Sequence, residues 1–335
     1  MEILPKASLL DYNTFKIDVS CQQLIIIEEE SEITSLFKAK VFEEKHFIIG
    51  GGSNLLFVND YDANIIHIRT KGIETVEEDS DFVYLRVAAG MVWNDFVDYC
   101  LSNQYYGIEN LIGIPGCVGS SAVQNVGAYG VEAKDLIYQV EGYNIRTKND
   151  FVLYNADCEF SYRSSIFKTK LKNQCLIVNV VFRLSKKETY NLEYEALRSR
   201  LDESDLSLQY VSEMVLELRN SKLPDISEIG SAGSFFKNPI VSNQHLRQLL
   251  QLYPNLIHYD TDDGNKKLAA GQLIDLAGWK GVRDGDAGVY PLQALVLVNY
   301  GKATGKEILD LAKKIQQDIL EKFNINLEPE VNIIQ

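Results

Sequence analysis

The 335-residue sequence has few of the residues that build disulfide frameworks and metal sites. It contains five cysteines, an odd number without a CxxC pair, and four histidines without HxH or HExxH spacing. Neither a disulfide scaffold nor a metal centre is therefore indicated, and we expect a reducing, cytoplasmic location. No apolar run approaches the roughly 18–20 residues that span a bilayer. The opening MEILPKASLLDYNTF lacks a basic stretch before a long apolar core, so we expect no signal peptide.

Positive charge is also scarce. The chain has 33 lysine and arginine residues against 47 aspartate and glutamate residues, a formal net charge of −14. Nucleic acid and anionic membranes should repel such a chain, so neither is an expected partner. Apolar residues make up 46% and charged residues 24%, which is ordinary globular usage. The length suits about two or three domains, and any phosphate must be met by a local site.

The apolar pattern predicts a mixture of strands and helices. Helical spacing predicts helices at 31–43 (capped by Ser31), from Trp93 to Leu101, at 243–252 and at 269–278. Thr304 and Glu307 form a capping-box pair that opens a last long helix. Strands are predicted at 46–50, 82–89, within 136–184, at 294–300 and in the closing LEPEVNII. Because strands and helices do not alternate steadily, we predict an α+β fold and not one doubly wound sheet.

The first glycine segment, residues 48–56, reads IIGGGSNLL. A strand that enters three glycines permits positive φ and lets backbone N–H groups face a ligand, and successive N–H groups make an anion-binding nest. Ser53 and Asn54 add side-chain donors. The segment matches neither the GxGxxG fingerprint nor the GxxxxGK[ST] pattern. A glycine-rich hairpin without a ligand is the alternative interpretation.

The second glycine segment, residues 107–130, reads GIENLIGIPGCVGSSAVQNVGAYG. Small residues among apolar ones let the backbone pass close to a flat or phosphorylated ligand, and Ser120 and Ser121 can donate to phosphate oxygens. Tight packing of loops under a sheet is the alternative. Two such segments, each expected to follow an apolar strand, suit a long cofactor with pyrophosphate and ring ends, such as flavin adenine dinucleotide (FAD).

These segments, together with FSYRSSIFK, GSAGSFFKNP and LEPEV, resemble the UDP-N-acetylenolpyruvoylglucosamine reductase family, flavoenzymes of bacterial peptidoglycan synthesis. The motifs follow the family's order across nearly the whole chain, and the length resembles the longer subgroup. The resemblance implies a FAD-binding fold of the vanillyl-alcohol-oxidase (PCMH) type plus a separate α+β substrate-binding domain. It implies FAD-binding subdomains at 1–70 and 71–205, a substrate-binding domain at 206–323, and a strand at 324–335 that returns to the active site. The polar stretch 201–207 is the candidate boundary.

The resemblance also implies a reaction. NADPH reduces UDP-N-acetylglucosamine enolpyruvate to UDP-N-acetylmuramate through non-covalent FAD, and a hydride passes from flavin N5 to the vinyl carbon. Ser234 is implied as proton donor, and Arg163 and Glu330 as the groups that stabilise the enolate. A guanidinium is always charged and can grip a carboxylate bidentately. We expect Glu330 to be protonated in the complex, because burial and a like charge favour its neutral form.

Without the resemblance, each of these residues has an ordinary structural interpretation: a serine in a turn, an arginine over a strand edge, an exposed acid. The resemblance implies FAD contacts by Gly50, Gly51, Gly52, Ser53, Asn54, Leu55, Ile114, Pro115, Gly116, Ser120, Ser121, Asn125, Gly127 and Tyr129. It implies UDP-sugar contacts by Tyr194, Arg219, Lys222, Asn238, Tyr259, Lys280 and Gln293. Residues 185–210 match the family poorly, so Tyr194 is the weakest assignment. We expect a monomer.

Two other functions compete with this one. Another FAD-dependent oxidase of the same fold would act on a carbohydrate or hydroxyacid, and Cys117 could then carry covalent flavin. A nucleotide-sugar-binding protein without catalysis is the second alternative, which the presence of Ser234, Arg163 and Glu330 disfavours.

Overall fold

The computed structural model describes residues 1–202, 204–261 and 263–335. The strands in chain order are β1 Glu2–Pro5, β2 Cys21–Ile27, β3 His46–Ile49, β4 Leu55–Phe57, β5 Tyr61–Ile68, β6 Ile73–Glu78, β7 Phe82–Ala88, β8 Gly127–Ala128, β9 Val131–Glu132, β10 Ile137–Asn144, β11 Asp150–Tyr154, β12 Cys175–Ser185, β13 Gly230–Ser234, β14 Ile240–Val241, β15 His258–Asp260, β16 Lys266–Leu268, β17 Arg283–Asp284, β18 Ala287–Val289, β19 Val296–Asn299 and β20 Asn332–Ile334. The α-helices are α1 Ile33–Lys38, α2 Trp93–Ser102, α3 Val118–Gln124, α4 Glu195–Arg198, α5 Leu208–Asn220, α6 Asn243–Leu252, α7 Ala270–Leu276 and α8 Gly305–Phe323.

The chain separates into two compact units. The first unit consists of residues 1–7, 21–52 and 62–219, and the second of residues 8–20, 53–61 and 220–335. The chain thus crosses between the units inside the first glycine segment, after Gly52. The predicted division into three domains stays a prediction, and Glu203 of the predicted boundary 201–207 lies outside the described residues.

The first unit is built on two sheets, one of four strands in the order β1-β2-β5-β3 and one of five in the order β11-β10-β12-β7-β6. Its core forms because the apolar face of α2 meets the larger sheet. The rings of Trp93 and Phe96 on α2 lie 6.0 and 4.7 Å from that of Phe182 on β12, and all three are buried. The predicted helix that starts at Trp93 and the predicted strand at 82–89 are confirmed.

The second unit contains the sheets β13-β19-β18-β17 and β14-β16-β15 and the parallel pair β20-β4. Helix α8 packs here because Ile308, Leu311, Ile315, Ile319 and Phe323 are all buried on one face, as their spacing predicts. The predicted capping box is confirmed. Thr304 Oγ1 accepts from the Glu307 N–H at 3.2 Å, and Glu307 Oε2 accepts from the Thr304 N–H at 2.7 Å.

The α+β class is confirmed, but three local predictions are wrong. The helix predicted at 31–43 is only α1, because Lys40 takes a left-handed conformation with φ 58° and the chain continues as a short 3-10 turn, and Ser31 does not cap it. The second glycine segment follows helix α2 rather than a strand. The closing strand comprises only β20, preceded by a single bridge between Phe236 and Pro329. Within the described ranges, no helix is long and apolar enough to cross a membrane.

Candidate functional site

The two glycine segments meet within the first unit. A Cβ atom on Gly51 would lie 2.9 Å from Gly116 Cα, and one on Gly50 would lie 3.6 Å from Ser120 Oγ. A side chain at Gly51 is therefore excluded, because the backbones already touch. Gly52 and Gly116 have φ values of 63° and 130°, which favour glycine. Backbone groups that no side chain covers fit the predicted contact with an extended phosphorylated cofactor.

The two predicted phosphate-binding serines are engaged within the protein. Ser120 Oγ accepts from the Cys117 N–H at 3.1 Å and donates to the Cys117 carbonyl at 2.7 Å, which fixes the start of α3. Ser121 is buried and donates to the Val118 carbonyl at 2.6 Å. Their phosphate contacts stay predictions. Ile114 and Pro115 precede α3 and are partly buried.

His67 on the neighbouring strand β5 contacts the backbone at the start of the first glycine segment. It lies on β5 opposite Ile49 of β3, and its ring forms hydrogen bonds with the backbone of Ile49 and Gly50. Burial, reinforced by the nearby charge of Arg69, lowers the pKa of His67 to about 4. The ring is therefore neutral at pH 7. The sequence analysis missed His67, because the histidine lies far along the chain from the glycines that it supports.

Arg163 lies in a loop that docks on the end of the second glycine segment. Its backbone is left-handed with φ 54°, and its Nη2 donates to the Gly127 carbonyl at 2.7 Å. The guanidinium carbon lies 5.3 Å from the centroid of the Tyr162 ring. A Cβ atom on Gly127 would lie 3.0 Å from Arg163 Nη1, so glycine permits this approach. The structure thus joins a predicted catalytic residue to a predicted FAD residue.

Asn125 forms hydrogen bonds that hold the loop carrying Arg163. It is fully buried, and its Nδ2 donates to the Ser161 carbonyl at 2.9 Å and to Glu132 Oε2 at 3.0 Å. Its Oδ1 accepts from the Lys134 N–H at 3.0 Å. These bonds assign Asn125 a structural role in holding the Arg163 loop, and its predicted FAD contact stays a prediction.

Two tyrosines and an arginine form a third cluster in the first unit. The rings of Tyr129 and Tyr194 are 5.2 Å apart and nearly perpendicular, at 85°. Arg219, at the end of α5, lies close enough to influence the pKa of Tyr129, although burial is the larger effect and raises that pKa. Burial lowers the pKa of Arg219. A Cβ atom on Gly113 would lie 2.8 Å from Arg219 Nε. A predicted FAD residue and two predicted substrate residues therefore lie together.

Ser234 and Glu330 lie on paired segments of the second unit. Ser234 ends β13, and the bridge between Phe236 and Pro329 brings LEPE alongside it. The Glu330 N–H donates to the Phe235 carbonyl at 2.8 Å. Gly233, with φ 73° and open space around its Cβ position, turns the chain immediately before Ser234.

Asn54 connects the first glycine segment to Glu330. Its Nδ2 donates to the Glu330 carbonyl at 3.3 Å, and its own carbonyl accepts from the Asn332 N–H at 3.0 Å. Leu55 continues into β4, pairs with Asn332 and is buried. Glu328, by contrast, is exposed and forms an ion pair with Lys237 at 2.5 Å.

The remaining predicted substrate residues of the second unit differ in how firmly they are held. Asn238 Oδ1 accepts from the Ala270 N–H at 2.9 Å at the start of α7, and a Cβ atom on Gly271 would lie 2.7 Å from Gln293 Oε1. Lys280 pairs with Asp275 at 3.3 Å, Tyr259 is half exposed, and Lys222 is partly buried. Asn238 and Gln293 thus border one helix end, whereas Tyr259 and Lys280 are exposed.

Comparisons with known proteins bear on the family and on the cofactor-binding domain. The family model of the UDP-N-acetylenolpyruvoylglucosamine reductase C-terminal domain matches residues 225–334, and that of an FAD binding domain matches residues 22–149. UDP-N-acetylenolpyruvoylglucosamine reductases from Flavobacterium johnsoniae and Porphyromonas gingivalis are 44% and 45% identical, each over 100% of both chains. The one from Bacteroides fragilis is 45% identical over 98% of this chain and 99% of its own.

A solved structure shows the same fold. The UDP-N-acetylenolpyruvylglucosamine reductase from Thermus caldophilus matches with a TM-score of 0.68 at 24% identity, over 100% of this chain and 98% of its own. Together with the FAD-binding match, this confirms the predicted fold class.

Proposed function

Because the chain belongs to the UDP-N-acetylenolpyruvoylglucosamine reductase family and is an FAD-binding oxidoreductase, we propose that it reduces UDP-N-acetylglucosamine enolpyruvate to UDP-N-acetylmuramate with NADPH as electron donor. The observation that carries the proposal is the pairing of the Ser234 and Glu330 segments in the second unit. These two segments are far apart in the sequence, and each carries a residue that the proposed chemistry requires.

FAD would be held by the meeting glycine segments, including Gly50, Gly51 and Gly52. Of these, Gly50 lies against Cys117 and Ser120, and Gly51 lies against Gly116. When bound, FAD supplies the hydride for the vinyl carbon. Cys117 is buried beside Gly50, and burial raises the pKa of its thiol to about 11. A protonated, packed thiol is a poor nucleophile, which supports non-covalent binding of the cofactor.

The reaction needs a positive charge or an acid where negative charge develops on the substrate carboxylate. Arg163 supplies the charge, and its bond to the Gly127 carbonyl fixes the orientation of the guanidinium. Glu330, protonated in the complex, donates a hydrogen bond to the same group. Ser234 then delivers a proton to the carbon next to the carboxylate. Its hydroxyl is a weak acid, so the carbon must be strongly basic at that moment.

The other residues that the family resemblance implies would bind the substrate. Lys222, Lys280 and Arg219 offset the diphosphate and carboxylate charges, which a chain of net charge −14 must do locally. Tyr259, Asn238 and Gln293 add hydrogen bonds or stacking, and Tyr194 closes over the UDP-sugar. NADPH and the UDP-sugar take turns in one pocket of a monomeric, cytoplasmic enzyme. Each substrate should therefore inhibit competitively against the other at high concentration.

An anaerobic experiment tests the proposal. The purified yellow protein is reduced with NADPH, and UDP-N-acetylglucosamine enolpyruvate is added without oxygen. Return of the oxidised-flavin absorbance within the turnover time supports the proposal. Failure of the enolpyruvate to reoxidise the flavin, with fast reoxidation by oxygen, would identify an oxidase of the same fold. A protein that binds no flavin would be a nucleotide-sugar-binding protein.

A further inference from the structure

We propose that Asn110 is a positioning residue, which holds the segment that carries Tyr194 on the second glycine segment. The proposal rests on the proposed function, because there Tyr194 closes over the UDP-sugar. It concerns residues 190–194, termed the Tyr194 segment. Asn110 lies in a short 3-10 turn near the start of the second glycine segment, and its side chain is fully buried.

One amide group joins two distant stretches of chain. Asn110 Nδ2 donates to the Tyr129 carbonyl at 2.8 Å and to the Asn191 carbonyl at 2.9 Å. Both amide hydrogens are therefore used on main-chain oxygens. Because both donors are used on main-chain oxygens and the side chain is fully buried, Asn110 acts through the two segments that it joins and is not a catalytic residue.

The side chain of Asn191 also connects the Tyr194 segment to the second glycine segment. Asn191 Nδ2 donates to the Gly130 carbonyl at 3.4 Å, and Asn191 Oδ1 accepts from the Glu193 N–H at 3.1 Å. Gly130 has φ 89°, and a Cβ atom there would lie 2.9 Å from Asn191 Oδ1. The approach of the two segments thus requires a glycine at 130.

These contacts fix the relation between the two tyrosine rings. Tyr129 has an unusual left-handed backbone with φ 49°, and its carbonyl is one of the two that Asn110 holds. Tyr194 lies three residues beyond Asn191, with its ring 5.2 Å from that of Tyr129. Removing the Asn110 amide frees both carbonyls, so both ends of the ring pair lose their anchor. Tyr194 should then be placed less often in the position that meets the UDP-sugar.

The test compares Asn110→Ala with Asn155→Ala. Asn155 makes the same kind of connection elsewhere in the first unit, since its Nδ2 donates to the carbonyls of Lys134 and Ile137 at 2.7 and 2.8 Å. In Asn110→Ala we expect KM for UDP-N-acetylglucosamine enolpyruvate to rise about tenfold, because each lost bond to a buried carbonyl weakens positioning. On flavin-loaded protein, the rise in KM should exceed any change in the rate of flavin reduction by NADPH. Asn155→Ala should leave KM unchanged.

Two further measurements separate positioning from general stability. Hydrogen exchange of amides 190–194, measured on the flavin-loaded protein without substrate, should be faster in Asn110→Ala and unchanged in Asn155→Ala. Combined with Tyr194→Ala, Asn110→Ala should add no further rise in KM, because both act through one ring. Equal behaviour of the two asparagine variants in exchange and KM, or multiplicative effects in the double variant, would overturn the proposal.

A milder variant covers the case in which Asn110→Ala does not fold. Asn191→Ala removes only the side-chain contacts to Gly130 and Glu193, and it should raise KM about threefold and speed exchange at 190–194. No change in either quantity overturns the proposal. Failure of wild-type protein to reoxidise with the enolpyruvate would reject the proposed function alone, because the exchange measurement needs no substrate.

Discussion

In the first unit, side chains hold the candidate site residues: Arg163 donates to the Gly127 carbonyl, and the ring of Tyr194 meets that of Tyr129. In the second unit, main-chain pairing holds them, with one side-chain bond from Asn54 to the Glu330 carbonyl. Ser234 and Glu330 are kept in register by the bridge between Phe236 and Pro329 and by the Glu330 N–H bond to the Phe235 carbonyl. Substitutions in the first unit should therefore disturb neighbouring groups, whereas those in the second should change chemistry and leave the backbone intact.

The largest expected effect tests the second unit. Ser234→Ala should lower kcat about 10³-fold, since it removes the proposed proton donor. Flavin reduction by NADPH should proceed at the wild-type rate, and the free energy of unfolding should change by at most about 0.5 kcal/mol. Stopped-flow measurement of the two half-reactions and denaturant unfolding check these values. If Ser234→Ala also lowers the free energy of unfolding substantially, the main chain alone does not hold this segment in place.

The next effect concerns a side chain that supports the first unit. His67 has its pKa lowered to about 4 in the folded protein, so the unfolded chain binds a proton between pH 6.5 and 4 that the native protein does not. The stability contributed by this group is complete above pH 6.5 and is lost as pH falls, by about 3 kcal/mol. His67→Gln, a neutral donor, should flatten the curve of unfolding free energy against pH by that amount.

The control for His67 lies on the adjacent strand β3. His46→Gln changes a ring that contacts the backbone oxygen of Glu44, and a flattening seen only in His67→Gln assigns the effect to the buried ring. A wild-type slope retained in His67→Gln would show that the first glycine segment does not depend on this ring.

A smaller effect is expected at the loop that joins Arg163, the proposed catalytic residue of the first unit, to Gly127, a predicted FAD contact. Arg163→Lys keeps the charge but loses the fork geometry and the Nη2 bond to Gly127. We expect kcat to fall about 10²-fold and flavin affinity to fall with it, because the same bond holds the second glycine segment. Flavin titration and steady-state rates measure both.

Arg183→Lys is the control for that substitution. Arg183 lies on β12 with its guanidinium carbon 4.5 Å from the Phe82 ring centroid, so it has a comparable stacking contact. It should alter neither flavin affinity nor kcat. If Arg163→Lys lowers kcat without any loss of flavin affinity, the substitution changes chemistry and leaves neighbouring groups undisturbed. The expected contrast with the second unit would then be wrong.

Local signals explain what could be predicted from the sequence. The helix from Trp93 and the capped helix α8 are correct, because apolar spacing and a cap act within a few residues. The helix at 31–43 fails at Lys40, whose left-handed conformation is not evident from residue type. The closing strand is shorter than predicted, because its pairing depends on Leu55 and Phe57, which are remote in sequence.

The candidate site shows the same difference between local sequence signals and contacts between remote segments. Motifs predict roles for Ser234, Glu330 and Arg163, which stay predictions, and they do not reveal the bonds that position these residues. His67 behind Gly50 and Asn110 between Tyr129 and Asn191 were missed, since each joins segments that only folding brings together. A polar pair, Glu109 and Asn110, inside the apolar run IENLI was the available signal. Both are fully buried, and burial raises the pKa of Glu109.

The smallest expected effect is the sharpest test of the second unit. Glu330→Gln keeps a hydrogen-bond donor but removes the acid, so kcat should fall only about tenfold, less than for loss of a donor altogether. Glu328→Gln is the matched control: an exposed acid two residues away, paired with Lys237. If Glu330→Gln loses no more rate than Glu328→Gln, the enolate-stabilising role is wrong, although the main-chain pairing would stand.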